Sequence, residues 1–320
     1  MFKLDFDIPI NPTQIGLHDQ IVSIGSCFSD NIGDKLSQYK FKTLANPFGT
    51  LFNPYSTFKA LAGKLDKKNI VENQGIFYHW DAHGEISALN ARDLEQSIKQ
   101  KANDLNEWLV SAKWLIITFG SAFVYTHNKS KQIVANCHKV PQNEFSKSLL
   151  NPAEIASSYL DCINQIRKIN PDLKVILTVS PVRHTKDGLN ENNLSKGILH
   201  QAVAEIIKKD SLAWYFPSYE IMIDELRDYR FYKVDMIHPS DQAISYIWNK
   251  FRHSFIDKTS NSFINEWDKI ISAMAHRPFH PESDKHQVFL NSLIEKITPY
   301  QSKIDVKKEL VMLTNQLIKK

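Results

Sequence analysis

Apolar runs punctuate the first two thirds of the chain at 21–24, 40–44, 114–119, 174–179 and 212–216. They are nearly continuous rather than alternating, the pattern of strands covered on both faces, and the 40–44 run is shorter and edge-like. Periodic stretches lie between them. Leu94, Ile98, Ala102, Leu105 and Leu109 recur at spacings of three and four and draw one helical stripe. Pro152, at a first helical position, opens a helix carrying Ile155, Tyr159, Ile163 and Ile166 that ends before Pro171. Leu194, Ile198, Ala202 and Ile206 mark another, and Ala243, Ile244, Ile247, Trp248 and Phe251, after Ser240, the next. Strand and helix in alternation predict an α/β domain with a largely parallel sheet. The stretches 74–87 and 123–140 read as β-rich insertions after strand ends, where such folds place substrate contacts.

Past about residue 260 the strand signals vanish. Phe263, Trp267, Ile270 and Ile271 form one stripe, Val288, Leu290, Leu293 and Ile294 a second, and Val306, Leu310, Leu313 and Leu317 a third. The expected division is an α/β domain over 1–256 and a helical C-terminal extension over 257–320. The extension reads as a packing element or a homo-oligomer contact, because its lysines form no polybasic cluster suited to a membrane surface.

Composition narrows the function classes. The 320 residues are 42% hydrophobic and 23% charged, enough to build a core without disulfide or metal staples. The net charge of +4 is small and spread along the chain, and basic residues do not interleave with aromatics on any one face, so no nucleic-acid partner is expected. No run approaches the roughly 20 apolar residues of a membrane span. The start, Met1 to Pro9, has acids and a proline where a signal peptide needs an apolar run, so the expected location is cytoplasmic. Cys27, Cys137 and Cys162 are far apart and form no CxxC pair, which argues against a zinc site or a disulfide framework. His79, Asp81 and His83 would share one face of a strand, but no fourth ligand is implied, and no metal or cofactor is expected. Tyr78 and Trp80 beside them are residue types that line sugar-binding walls.

Two short segments carry chemistry. The first strand runs into Gly25-Ser26-Cys27-Phe28-Ser29, and Phe28, Ile32 and Leu36 begin a helix at once. Cys27 would sit at the helix N-terminus, where free N–H groups favour negative charge and should lower a thiol's pKa. Ser26 offers a hydroxyl one residue away, or a helix cap. In Asp235-Met236-Ile237-His238-Pro239, the aspartate can accept from the ring Nδ1–H and leave Nε2 facing a nucleophile. Pro239 keeps His238 out of helical geometry. Both segments would reach the carboxyl ends of the strands.

In this order the segments resemble the SGNH/GDSL hydrolase superfamily, and more closely its GSCFA-domain branch. Gly25 to Ser29 looks like the branch's name motif, with Ser29 in place of the final alanine. Asn46-Pro47-Phe48-Gly49-Thr50 resembles the superfamily's second block, Thr118-Phe119-Gly120-Ser121-Ala122 the third, and Asp235 to His238 the fifth. Ala135-Asn136-Cys137-His138-Lys139 and Ser180-Pro181-Val182-Arg183-His184 also look typical of the branch. The resemblance implies a three-layer α/β/α flavodoxin-like fold. It implies Cys27 as nucleophile, His238 as base, Asp235 as its orienting acid, and the N–H groups of Cys27 and Gly49 as the oxyanion hole. Ser26, Ser121, Asn136, His138, Arg183 and His184 are then the residues expected on the substrate side. Ala122 replaces an asparagine that donates to the oxyanion in the wider superfamily; losing one such donor costs about 10²–10³ in rate. Asn136, His138 and His184 are substitutes by chemistry. The implied activity is hydrolysis of small acyl esters, O-acetylated carbohydrates among them. Acyl transfer from the same intermediate and a binding domain without turnover are the alternatives.

Overall fold

The computed structural model describes residues 4–66 and 69–318. The chain runs through β1 (Gln20–Gly25), α1 (Cys27–Gln38), β2 (Lys42–Ala45) and α2 (Pro54–Leu61). A small sheet follows, β3 (Ile70–Asn73), β4 (Ile76–His79) and β5 (Ser87–Ala88), and then α3 (Ala91–Ser111) and β6 (Trp114–Phe119). A second small sheet is made of β7 (Phe123–His127), β8 (Ile133–Val134) and β9 (Phe145–Leu149). Next come α4 (Pro152–Arg167), β10 (Lys174–Val179), α5 (Leu189–Lys209), β11 (Ala213–Tyr215) and one turn, α6 (Ser218–Glu220). The chain closes with α7 (Asp241–Phe255), α8 (Lys258–Met274), α9 (Asp284–Ile297) and α10 (Lys307–Thr314).

The strands read from the apolar runs form one parallel sheet in the order β11-β10-β6-β1-β2. Counted among themselves they stand 2-1-3-4-5, the flavodoxin-like order, in which ligands bind beyond the carboxyl ends where the order reverses, between the first and third strands. Here that point lies between β1 and β6.

The runs are continuous because side chains alternate between two buried faces. Val22, Ile24, Leu115, Ile117, Val175 and Leu177 pack with α3, α4 and α5. Ile21, Trp114, Ile116 and Ile176 pack with α1 and α7. Each fully buried aliphatic side chain contributes about 1.5–3 kcal/mol. The C-terminal helices add Ile264, Trp267, Leu290, Leu293 and Leu313 to the second cluster, so they extend the sheet's own core. Trp267 Nε1 donates to the Gln38 carbonyl at 3.1 Å and the Tyr39 hydroxyl to Asp268 at 2.6 Å. These contacts meet the end of α1 farthest from Cys27, about 18 Å of helix away.

Three expectations need correction. The stripe on α5 holds at Ala202 and Ile206, which are buried, but not at Leu194, which is 52% exposed; the rest of the buried face carries Asn192, Ser195, Lys196, Leu199 and Val203. The histidine-rich stretch is not one strand, because β4 ends at His79 and the chain turns there. Trp80 is buried against the rings of His127 and His138 and offers no open wall to a sugar. No helix among the described residues is long and apolar enough to cross a membrane.

Candidate active site

The turn out of β1 is held by backbone geometry. Gly25 adopts φ +135°, and a Cβ there would stand 2.1 Å from the Thr118 carbonyl oxygen on β6. Its N–H donates to Asn46 Oδ1 at 2.8 Å, and Asn46 Nδ2 donates to Asp30 at 2.7 Å, so one side chain ties the second block to both strand end and helix. Ser26 is 1% exposed and caps α1, its Oγ accepting from Phe28 N–H at 3.4 Å. It packs against Gly120, where an added Cβ would meet Ser26 Cβ at 3.0 Å. The substrate-side role expected of Ser26 therefore gives way to a capping one.

Cys27 opens α1 and is half-buried. Its thiol is pushed up from the ordinary cysteine range, first by burial and then by the Asp30 carboxylate; Lys196 and the N–H groups of Cys27 and Phe28 pull the other way. The expected depression is thus reversed, because desolvation outweighs the helix terminus. At neutral pH Cys27 rests as a thiol.

His238 and Asp235 meet as the spacing predicts. Asp235 Oδ2 lies 2.7 Å from His238 Nδ1, while Oδ1 accepts from the N–H groups of Ile237 and His238 at 2.9 and 3.0 Å. Those bonds hold the carboxyl below its usual range, at about 2. With Nδ1–H donating to the carboxylate, Nε2 is left as an acceptor. The loop is pinned by Lys233 N–H to the His238 carbonyl and Ser240 N–H to the Phe231 carbonyl, both at 2.7 Å. Among the described residues, no hydrogen bond joins His238 to Cys27.

The segment after β10 carries Arg183 and His184. Burial, reinforced by the Lys196 charge, pushes His184 down to about 4; the charges of Asp187 and His238 act on it as well. Its Nε2 is buried with no partner among the described residues, and its ring stands edge-on to Phe52 at 5.3 Å. The Arg183 guanidinium lies 4.6 Å from the ring centre of Tyr232, which bridges Pro239 next to His238. Arg183 and His184 are therefore beside the His238 loop.

The other expected residues lie elsewhere. Gly49 N–H donates to the Asn46 carbonyl at 2.8 Å, so it is committed to its own turn and is not a free oxyanion donor. Ser121 is buried, with Oγ 3.2 Å from Ser195 Oγ and accepting from Phe123 N–H. Asn136 accepts from His138 N–H at 2.9 Å, and His138 Nε2 lies 2.8 Å from the His79 carbonyl with its ring stacked on Tyr78 at 4.8 Å. This pair stitches the two small sheets together through the His138 N–H and Nε2, while His138 Nδ1 is buried with no partner among the described residues. Both His79 nitrogens are engaged, by the Asp66 carbonyl and Asp81 N–H, and both Asp81 oxygens accept from Lys59 Nζ at 2.8 Å.

One residue went unflagged by the sequence reading. Lys196, on the buried face of α5, is 2% exposed, and Nζ donates to the carbonyls of Gly120 and Ser180 at 2.7 Å each. Its neighbour Ser195 accepts from Ala122 N–H at 2.8 Å, so consecutive residues of α5 clasp the third block. The available signal was a lysine three residues before Leu199 and seven before Val203, inside a helical apolar face.

A protein-family model described as "GSCFA family" matches residues 20–251, and one described as "GSCFA domain protein, C-terminal domain" matches residues 267–319. No curated protein matches the chain.

Proposed function

The chain belongs to the GSCFA family, and from that premise we propose that it is an SGNH-like acyl hydrolase acting on small acyl esters, O-acetylated carbohydrates among them. The observation that supports this reading is the pairing of two features at one sheet edge. A cysteine opens a helix where the strand order reverses, and an aspartate-held imidazole, its Nε2 unbonded among the described residues, lies beside the segment after β10. A contact between nucleophile and base commonly tightens only with substrate in place.

Cys27 Sγ attacks the acyl carbon while its proton passes to His238 Nε2. The oxyanion forms against the Cys27 N–H at the helix start, where the dipole favours it. Collapse breaks the ester C–O bond, and the leaving oxygen takes the proton back from Nε2 as the thioester forms. Water, deprotonated by the same nitrogen, then releases the acid and restores the thiol. Asp235 keeps Nδ1 protonated throughout.

A second reading, a binding pocket without turnover, is favoured by the upward shift of Cys27 and by the committed Gly49 N–H. The test is p-nitrophenyl acetate turnover with mass spectrometry of trapped protein, comparing wild type with Cys27→Ala, Ser26→Ala and His238→Ala. An acetyl group on Cys27, absent in Cys27→Ala and slow to form in His238→Ala, is expected. A folded wild type with neither adduct nor turnover overturns the hydrolase in favour of the pocket.

A further inference from the structure

Among the described residues, Lys196 is the one lysine enclosed beside the nucleophile turn. It stands on the carbonyls that end β6 and β10, at Gly120 and Ser180, and Gly120 packs directly on Ser26, the residue before Cys27. Two of the three N–H groups of the ammonium are taken by those carbonyls. Among the described residues Lys196 has no carboxylate partner, and the desolvation of such a charge is a cost that a purely structural tether would avoid by using a neutral donor. The third block beside it lacks its side-chain donor, since Ala122 has none.

We propose that Lys196 is a positioning residue for Cys27: its buried ammonium, anchored on the Gly120 and Ser180 carbonyls, is the charge that stabilises the Cys27 thiolate at neutral pH in a site where Ala122 supplies no donor. This rests on Cys27 being the reacting thiol. The interaction is mutual, since Lys196 pulls the Cys27 thiol down while Cys27 raises Lys196, which burial otherwise holds down to about 7. The groups around the pair are few. Asp30 on α1 opposes the thiolate. The ring of Tyr219 lies 5.9 Å from Lys196 Nζ, and His184 and His200 feel the Lys196 charge. Both histidines are shifted down, so they are largely neutral above pH 7.

The proton inventory gives a signature. While Lys196 is protonated, each thiolate that forms gains a paired charge. As pH rises through about 7, Lys196 deprotonates as fast as Cys27 ionises, so the paired population stays constant. The rate of Cys27 alkylation by iodoacetamide, followed by peptide mass spectrometry, should therefore flatten between about pH 7 and 8.5, given a coupling of one to two pH units. Wild type should exceed Lys196→Met about tenfold at about pH 6.5, with the ratio approaching one above about pH 9. Lys196→Arg, charged throughout, should keep the advantage to high pH. A wild-type profile that climbs about tenfold per pH unit across this range overturns the proposal, as does a folded Lys196→Met whose deficit is the same at every pH. If Lys196→Met does not fold, the wild-type profile decides alone. The same profile in His238→Ala closes the remaining route: a plateau lost there belongs to His238 and overturns the assignment. Alkylation needs no turnover, so failure of the hydrolase reading shows in the ester assay and not here.

Discussion

Replacing Gly25 by alanine should remove at least about 3 kcal/mol of stability, because the backbone of Thr118 on β6 stands directly against the turn that presents Cys27. Gly25 holds φ +135°, and keeping a side chain in such a conformation costs about 1–3 kcal/mol. The new Cβ would stand 2.1 Å from the Thr118 carbonyl oxygen and 2.9 Å from Thr118 N. Gly25 pairs with Thr118 in the β1–β6 register, so no side-chain rotation relieves the overlap; the strands themselves must part. Overpacking of this kind costs about 1–3 kcal/mol. The movement also loosens the bonds from Ser26 N–H to Thr118 O, 2.9 Å, and from Gly25 N–H to Asn46, 2.8 Å, at about 0.5–1.5 kcal/mol each. Gly75 is the internal control. It has φ +77° with nothing within 4 Å of an added Cβ, so Gly75→Ala carries backbone strain alone, about 1–2 kcal/mol. Urea unfolding of wild type and both variants, followed by tryptophan fluorescence, gives the comparison. A Gly25→Ala protein no less stable than Gly75→Ala would show that β6 does not confine the turn, and the account of how Cys27 is placed would fall.

Three further outcomes follow from the geometry. Lys59→Met leaves the Asp81 carboxylate, 1% exposed, with Asn69 as its remaining side-chain donor among the described residues, and should cost about 3 kcal/mol in urea unfolding; a loss under about 1 kcal/mol would mean the pair is solvated. His138 and His184 are held near 4, below the usual histidine value of about 6.5, so the unfolded chain binds more protons between those limits. Their stabilisation is complete above about pH 6.5 and is lost as pH falls toward 4; the melting temperature should drop across that window, and less steeply in His184→Gln. Asp235→Asn removes the acceptor of His238 Nδ1 and should slow acetylation of Cys27 about 10²–10⁴-fold while sparing its alkylation, and equal effects on both would place Asp235 outside the proton transfer.

The centre of the sheet was legible in the chain because β1, β6 and β10 are runs of apolar residues, and such a run is stable only where helices cover both faces. The helix after Cys27 and the Asp235–His238 pair were legible for a related reason: caps, glycine turns and three-residue hydrogen bonds are local, and neighbours in sequence settle them. The periodicity of α5 was right at Ala202 and Ile206 but missed the first half of its buried face, which carries Asn192, Ser195 and Lys196; polar residues inside a buried face look like a solvent face in the pattern. What only the tertiary structure decided is where long-range partners spend each donor. Gly49 turned its N–H to Asn46, Asn136 and His138 closed a network of their own, and burial reversed the expected ionisation of Cys27. Hydrogen bonds and desolvation depend on which atoms share a few ångströms of space, and residues as far apart in sequence as Cys27 and Lys196 come to feel each other's charge through the folding of β1, β6, β10 and α5 around one edge.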